Sequence, residues 1–545
     1  MNRKQKINFS QYQNQIQRRL NQWETENFID RLWKKDPSLW PAKDASEITD
    51  RLGWLFLLVD EQNKLKKIVD FAEEIKKEGT SHVVIIGMGG SSLAAEVFQK
   101  TWESSRGYPE LKVLDSTHPE VIYSLEEAID LSSTLFVVSS KSGTTLETLS
   151  LFYYFWERVK QESKKPGDRF CAITDHGSPL EQLGLKRNFR KIFNAPTDVG
   201  GRFSALSDFG LVPAALMGVD VQGLVEKAKL DFSELDKGLE IGAVLSEMNG
   251  RKDKMTFLTS PSLKNFPIWL EQLISESLGK NEKGIIPVID EPLVPIGHYG
   301  KDRFFVNLFL KREERGETAK RMKLFEDSGF PSIQIAVDDL IDLGREMFLW
   351  EVGIALAGAA LGINPFNQPN VQLTKDKTKR FIETNQGNTS DDCSKESHTL
   401  NKKERLVAAM NEWLLNARDD YYIGIQAYLF PSPEITKSIQ ELRLKLLEKT
   451  HIATTVGYGP RFLHSTGQMH KGGPSGALFL QLIDNPEKNI SIPETNFSFK
   501  DLIHAQSFGD YCALKERGRT ILRIDLKNDA IGGLERLKNL IAECL

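Results

Sequence analysis

The spacing of apolar residues changes rhythm several times along this chain, and each change predicts a different run of elements. Residues 8–79 carry Leu, Ile, Trp and Phe at helical spacing among charges, which predicts several amphipathic helices ahead of the first strand. From Val83 onward, β-branched runs at 83–86, 111–114, 135–139 and 170–174 read as strands, and stretches near 91–101, 120–129 and 146–162 as helices. Such alternation implies a parallel sheet covered on both faces. A second round begins at Met255, with strands at 256–260, 284–289 and 332–337 and a helix at 265–278. The run 347–361 is apolar nearly all round, as suits a helix buried between layers.

Residues 376–404 are polar and charged, with almost no apolar content after Ile382, and predict a linker or a long surface loop. Beyond it, strands at 421–429, 452–456, 477–483 and 520–526 and helices near 434–448 and 534–543 suffice for a small third α/β module. The expected organisation is a helical N-terminal segment (1–79), an α/β sandwich (80–235), a second sandwich (236–380), a polar linker (381–404) and a C-terminal α/β module (405–545). Similarity between the two sandwiches is too weak to establish a repeat.

Composition narrows the function classes. A chain of 545 residues exceeds what one core usually supports, so two or three domains are expected. The formal net charge of −4 leaves no global basic field, which argues against nucleic acid as a partner. Cys171, Cys393, Cys512 and Cys544 lack Cys-x-x-Cys spacing, so neither a disulfide framework nor a zinc knuckle is suggested and a reducing compartment is expected. The N-terminus has no apolar signal core, and no run of about 18 apolar residues occurs. A cytoplasmic protein without a membrane partner is the expectation.

The candidate chemistry gathers where two strands end. The apolar run 135–138 leads into Ser139-Ser140-Lys141-Ser142-Gly143-Thr144-Thr145, and the run 83–86 into Gly87-Met88-Gly89-Gly90-Ser91-Ser92. Hydroxyls, backbone amides and a following helix N-terminus are the means by which a loop holds a phosphate monoester. Ser92 stands where a dinucleotide fingerprint needs its third glycine, which points away from NAD. The glycines alone could equally serve a tight turn, but the hydroxyls outnumber what helix capping needs.

Three motifs in order carry a resemblance. Ser140-Lys141-Ser142-Gly143-Thr144-Thr145-Leu146-Glu147-Thr148, with Gly87-Met88-Gly89-Gly90-Ser91 before it and Val199-Gly200-Gly201-Arg202-Phe203-Ser204 after it, resembles the sugar isomerase (SIS) fold and, within it, the phosphoglucose isomerase family. Asp290-Glu291-Pro292 resembles the segment carrying the family's catalytic glutamate. Ile363-Asn364-Pro365-Phe366-Asn367-Gln368, continuing to Lys375, resembles the late segment that ends on its active-site lysine. The resemblance spans about residues 50–380. It implies two tandem three-layer α/β sandwiches of the SIS type with parallel sheets.

The resemblance further implies that Ser91, Ser140, Ser142, Thr144 and Thr145 hold a sugar phosphate, with Lys141 beside them and Arg202 over the reacting carbons. Moving a proton between C1 and C2 needs a base on one face of a cis-enediol, and Glu291 is the expected base, ionised at neutral pH. Arg202 suits the enediolate charge because it keeps its proton, and losing it should cost on the order of 3 kcal/mol. A solvated loop for Ser91 to Thr145, a loop glutamate for Glu291 and a surface ion pair for Arg202 are the structural alternatives.

Lys375 and a family histidine would open the sugar ring, but the stretch after Glu291 where that histidine is expected, 304–311, contains none. His298 follows Glu291 closely. The other source is the segment 457–474, dense in glycine and functional side chains, which holds His464 and His470 and looks like the C-terminal part of bifunctional transaldolase and phosphoglucose isomerase fusions. One of these two histidines reaching the cleft, or both serving packing alone, are the expectations. Histidines six apart without further ligands do not suggest zinc.

The resulting expectation is an aldose-ketose isomerase acting on glucose 6-phosphate and fructose 6-phosphate, with no metal or redox cofactor. Alternatives are an isomerase that also accepts mannose 6-phosphate and a sugar-phosphate sensor built on the same fold. In the resembled family two chains complete each site, so a homodimer is one expectation; a C-terminal module completing the site within one chain is the other.

Overall fold

The computed structural model describes residues 4–41, 45–58, 62–230, 232–383, 397–400 and 403–544. The first described element is a strand, β1 (Lys4–Asn8), which pairs antiparallel with the edge of the second sheet. This corrects the purely helical N-terminal segment. Lys4-Gln5-Lys6-Ile7-Asn8 has no apolar alternation, and the unpaired backbone of the edge strand supplies what the sequence pattern lacks. Helices Gln13–Thr25, Phe28–Trp33 and Gln62–Lys77 follow as expected.

The first sheet contains β2 (His82–Ile86), β3 (Glu110–Leu114), β4 (Thr134–Ser139), β5 (Phe170–Asp175) and β6 (Lys191–Ala195), in the order β3-β2-β4-β5-β6 and all parallel. Every residue of β4 is buried, the signature of a parallel strand covered on both faces. The second sheet contains β7 (Lys254–Thr259), β8 (Ile286–Val288), β9 (Arg303–Leu310) and β10 (Ser332–Val337), in the order β1-β10-β9-β7-β8. β9 was not expected from the sequence. Its eight residues are all buried, so no polar alternation marks it.

The third sheet contains β11 (His398–Thr399), β12 (Tyr422–Tyr428), β13 (Ala453–Tyr458), β14 (Ala477–Ile483) and β15 (Thr520–Asp525), in the order β11-β15-β14-β12-β13 and all parallel. Leaving aside the outermost strand of each, the three sheets share one order, with the first strand between the second and third. The C-terminal module is therefore a third sandwich with the topology of the other two. The expected linker is shorter than its composition suggests: helix Val371–Glu383 extends into it, while β11 and helix Lys403–Leu415 begin before it ends. Its centre, 384–396, lies outside the described residues, as does Cys393.

One apolar core runs through the first two sandwiches and the N-terminal helices, and a separate core fills the C-terminal module. Trp54, fully buried, packs its ring 5.2 Å from Phe203 and 5.9 Å from Phe348. The N-terminal segment thereby props the Gly200-Gly201-Arg202-Phe203 turn against the long helix Leu343–Leu361. Among the described residues no helix is long and apolar enough to cross a membrane.

Candidate active site

In the first sheet the chain moves to opposite sides after β2 and β4, so the loops following these strands flank the crevice where open α/β sheets place ligands. These are the glycine turn and the hydroxyl loop. Gly89 has φ +55°, and a Cβ there would lie 2.5 Å from the His464 carbonyl oxygen. A Cβ on Gly90 would lie 2.2 Å from the Gly201 carbonyl oxygen. Glycine is needed at both positions because the backbone of two other segments lies where a side chain would begin.

The hydroxyl loop is partly tied to itself. Ser139 donates to the Ser91 carbonyl at 2.7 Å, joining the two loops. Ser140 Oγ lies 3.1 Å from Thr145 Oγ1 and accepts from the Gly143 amide at 3.2 Å, and Ser142 Oγ lies 3.0 Å from Thr144 Oγ1. Thr145 precedes helix Leu146–Glu162 but makes no side-chain cap, so the helix's first amides face the loop. Lys141 departs from expectation. It pairs with Asp175 at 2.6 Å and donates to the Thr197 carbonyl at 3.1 Å, bracing the loop against the segment before Gly200. Burial pulls its pKa down, against the pull of Asp175.

Arg202 is 4% exposed and fixed on all sides. Its Nη2 donates to the carbonyls of Pro365 at 2.7 Å and Asn367 at 2.8 Å, and its Nη1 to Gln368 Oε1 at 3.3 Å. The expected late segment is thus wrapped around Arg202. The carboxylate that meets this guanidinium is Glu276, at 3.2 Å. Burial lowers the pKa of Arg202, and Glu276 opposes the fall. Glu276 sits near the end of helix Pro267–Leu278 and accepts from Gln272 Nε2 at 3.0 Å; the same amide donates to the His464 carbonyl at 2.9 Å.

Glu276 was missed in the sequence, and a signal existed. Gln272 and Glu276, four apart, form a polar stripe on a helix otherwise packed with Leu270, Leu273, Ile274 and Leu278. A buried helix carries such a stripe at a cost unless something meets it.

His464 reaches the cleft from the C-terminal module. Its Nε2 lies 2.9 Å from Glu147 Oε1, which also accepts from Gln506 Nε2 at 2.8 Å. Burial works against the charge of Glu147, yet His464 and Lys375 hold its carboxyl below the usual range. Glu147 was within the expected motif but unassigned, because an acidic residue in a first helical turn ordinarily serves the helix dipole. A cavity of about 460 Å³ is lined by Thr144, Thr145, Glu147, Lys375 and His464, with Leu146, Val371, Ile382 and Phe497 forming an apolar wall.

Three expected residues lie elsewhere. Glu291 is 2% exposed at its side chain and filled by partners: Arg303 grips both oxygens, and Thr454 donates its amide at 2.7 Å and its hydroxyl at 2.9 Å. Its ion pair with Arg303 is buried within the second sandwich and covered by Thr454 of the C-terminal module, which closes it to a sugar carbon. His470 is buried between Phe462 and Phe479, 3.2 Å from Gln426, and burial drives its pKa well down. His298 packs against His451, with ring centroids 4.8 Å apart.

Known proteins bear on this arrangement. The family model for phosphoglucose isomerase matches residues 59–285, a span that holds the hydroxyl loop, Arg202 and Glu276 and ends before Glu291. A glucose-6-phosphate isomerase of Staphylococcus aureus is 30% identical over 385 residues, covering 60% of this chain and 86% of that protein. A probable glucose-6-phosphate isomerase of Methanococcus maripaludis is 27% identical over 377 residues, covering 60% and 84%. The crystal structure of a hypothetical protein from Thermus thermophilus superposes with a TM-score of 0.59 at 23% identity, covering 70% of this chain and all of the other, and shares the fold. With most of the staphylococcal protein's length aligned at that identity, this chain belongs to the phosphoglucose isomerase family.

Proposed function

We propose that the chain interconverts glucose 6-phosphate and fructose 6-phosphate through a cis-enediol. The observation that carries this reading is the Glu276 carboxylate 3.2 Å from the fixed Arg202 guanidinium, set beside the hydroxyl loop. Glu276 takes the proton from C2 of the open-chain aldose and returns it to C1, while O1 gains and O2 loses a proton. The hydrogen stays on the sugar, so no external electron acceptor is consumed. Arg202, already oriented by three backbone and side-chain acceptors, meets the enediolate charge without rearranging. His464, held by Glu147, would move the proton between the ring oxygen and the C1 hydroxyl, with Lys375 lining the same cavity.

Ser91, Ser140, Ser142, Thr144 and Thr145, with the first amides of helix Leu146–Glu162, would take the phosphate. The buried thiols of Cys171 and Cys544 support a reducing, cytoplasmic setting. The test is a coupled assay for glucose 6-phosphate formed from fructose 6-phosphate in excess EDTA. Turnover is expected; binding of fructose 6-phosphate without turnover would make the protein a sensor instead.

A further inference from the structure

We infer that the C-terminal module is a resident half of the active site: each chain completes its own site, and two chains do not share one. This rests on the isomerase reading for its chemistry, though the module's placement stands on geometry alone. The base and the guanidinium come from the first two sandwiches, whereas His464 lies outside the span of the family model. Yet His464 is seated against both of the first two sandwiches, its ring on Glu147 and its carbonyl over Gly89 of the first and on Gln272 of the second.

The seating is reinforced by one buried amide. Gln468, fully buried, donates to the Gly279 carbonyl at 2.9 Å and to Asn370 Oδ1 at 2.8 Å, and its Oε1 accepts the Asn370 amide at 2.9 Å. Gly279 ends the helix of Glu276, and Asn370 immediately precedes the helix of Lys375. A single side chain of the C-terminal module therefore sets the positions of the elements bearing Glu276, Lys375 and His464. The short helix Gly467–Gly472 that carries it is pinned to its own module by Lys471 and Asp510, 2.5 Å apart and both excluded from water.

The docking continues around the cleft. Helix Val371–Glu383 crosses helix Phe499–Glu516 at Gly509, where a Cβ would lie 2.6 Å from Thr378 Oγ1. On the first sandwich, Arg461 pairs with Glu96 and with Asp115. Exchange of the module between two chains would reproduce the same contacts across a dimer, so the inference is decided by experiment.

Glu276→Gln and His464→Asn each disable one half of the site. Co-expressed and purified together, they should show no more activity than the two variants measured singly, and wild-type activity per chain should be constant on dilution. Recovery of about a quarter of wild-type activity, the share of sites in which random pairing unites two intact halves, would overturn the inference. A second readout needs no activity: the exposed pair Arg187 and Glu494 joins the first sandwich to the module. An Arg187→Cys/Glu494→Cys protein, treated with a bifunctional maleimide long enough to replace both side chains and run under reducing conditions, should give a cross-linked single chain; a covalent dimer would overturn the inference. An inactive wild type with a single-chain cross-link would refute the isomerase reading and leave the cis placement standing.

Discussion

Two glutamates fifteen residues apart show how the number of partners separates the carboxylate proposed as the base from a structural one. Glu276 has one oxygen on Arg202 and Gln272, whereas every oxygen of Glu291 is already taken by Arg303 and Thr454. Glu276→Gln should lower kcat by about 10²–10⁴-fold, as loss of a positioned base does, and affect stability the less of the two because Arg202 keeps three other acceptors. Glu291→Gln should do the reverse, leaving kcat of the folded protein near wild type and lowering stability by roughly 2–4 kcal/mol, because Arg303 keeps its buried charge with a weakened partner. Steady-state kinetics and urea denaturation of the two proteins side by side would check both. Arg202→Lys should cost about 10²–10³-fold in kcat, since a point charge cannot serve three acceptors and an oxyanion together.

At the scale of elements, the site depends on turns that only glycine allows. Gly89→Ala would force a side chain to within 2.5 Å of the His464 carbonyl in a conformation that L residues rarely adopt. Displacing that segment by about an ångström should reduce kcat on the order of 100-fold; an unchanged kcat in a well-folded variant would show that His464 does not need this seat. The apolar rhythm located most strands of all three sheets within a few residues, but left β6, β11 and many of the covering helices unassigned. It did not reveal β1 or β9, for opposite reasons: Lys4–Asn8 is polar and takes its strand form from a neighbour's edge, and Arg303–Leu310 is buried on both faces. Helix Phe499–Glu516 escaped because it is packed on most sides and shows no clean polar face.

For the whole molecule, the joint between first sandwich and C-terminal module should be sensitive to alkali. His118, 1% exposed, lies 2.9 Å from Glu120 and 3.3 Å from Asp484 of the module, with His504 also facing Asp484. Burial opposes its charge, but the two carboxylates outweigh burial and raise its pKa to about 9. A pKa raised on folding contributes stability that is complete below the ordinary value of 6.5 and is lost as pH climbs through about 9. The joint should therefore weaken between these values by on the order of 3 kcal/mol. Glu120, held at about 2, reports the same contact and adds nothing further. Urea unfolding at pH 6 and pH 9.5 should show this loss in wild type, and His118→Gln should show a flatter dependence.

The sequence by itself determined the tandem α/β architecture, the order of the motifs, the hydroxyl loop, Arg202, Lys375 and the choice of His464 or His470, because strand periodicity, glycine and hydroxyl clusters are properties of neighbours along the chain. Tertiary structure decided which glutamate faces Arg202, which histidine enters the cleft, that Lys141 pairs with Asp175, and that the third module repeats the topology of the first two. Those outcomes depend on which buried polar group finds its partner from a segment more than a hundred residues away, as Glu147 finds His464 and Glu291 finds Thr454. No local pattern records that pairing, since the cost of burying a charge is met only where the chain folds back on itself.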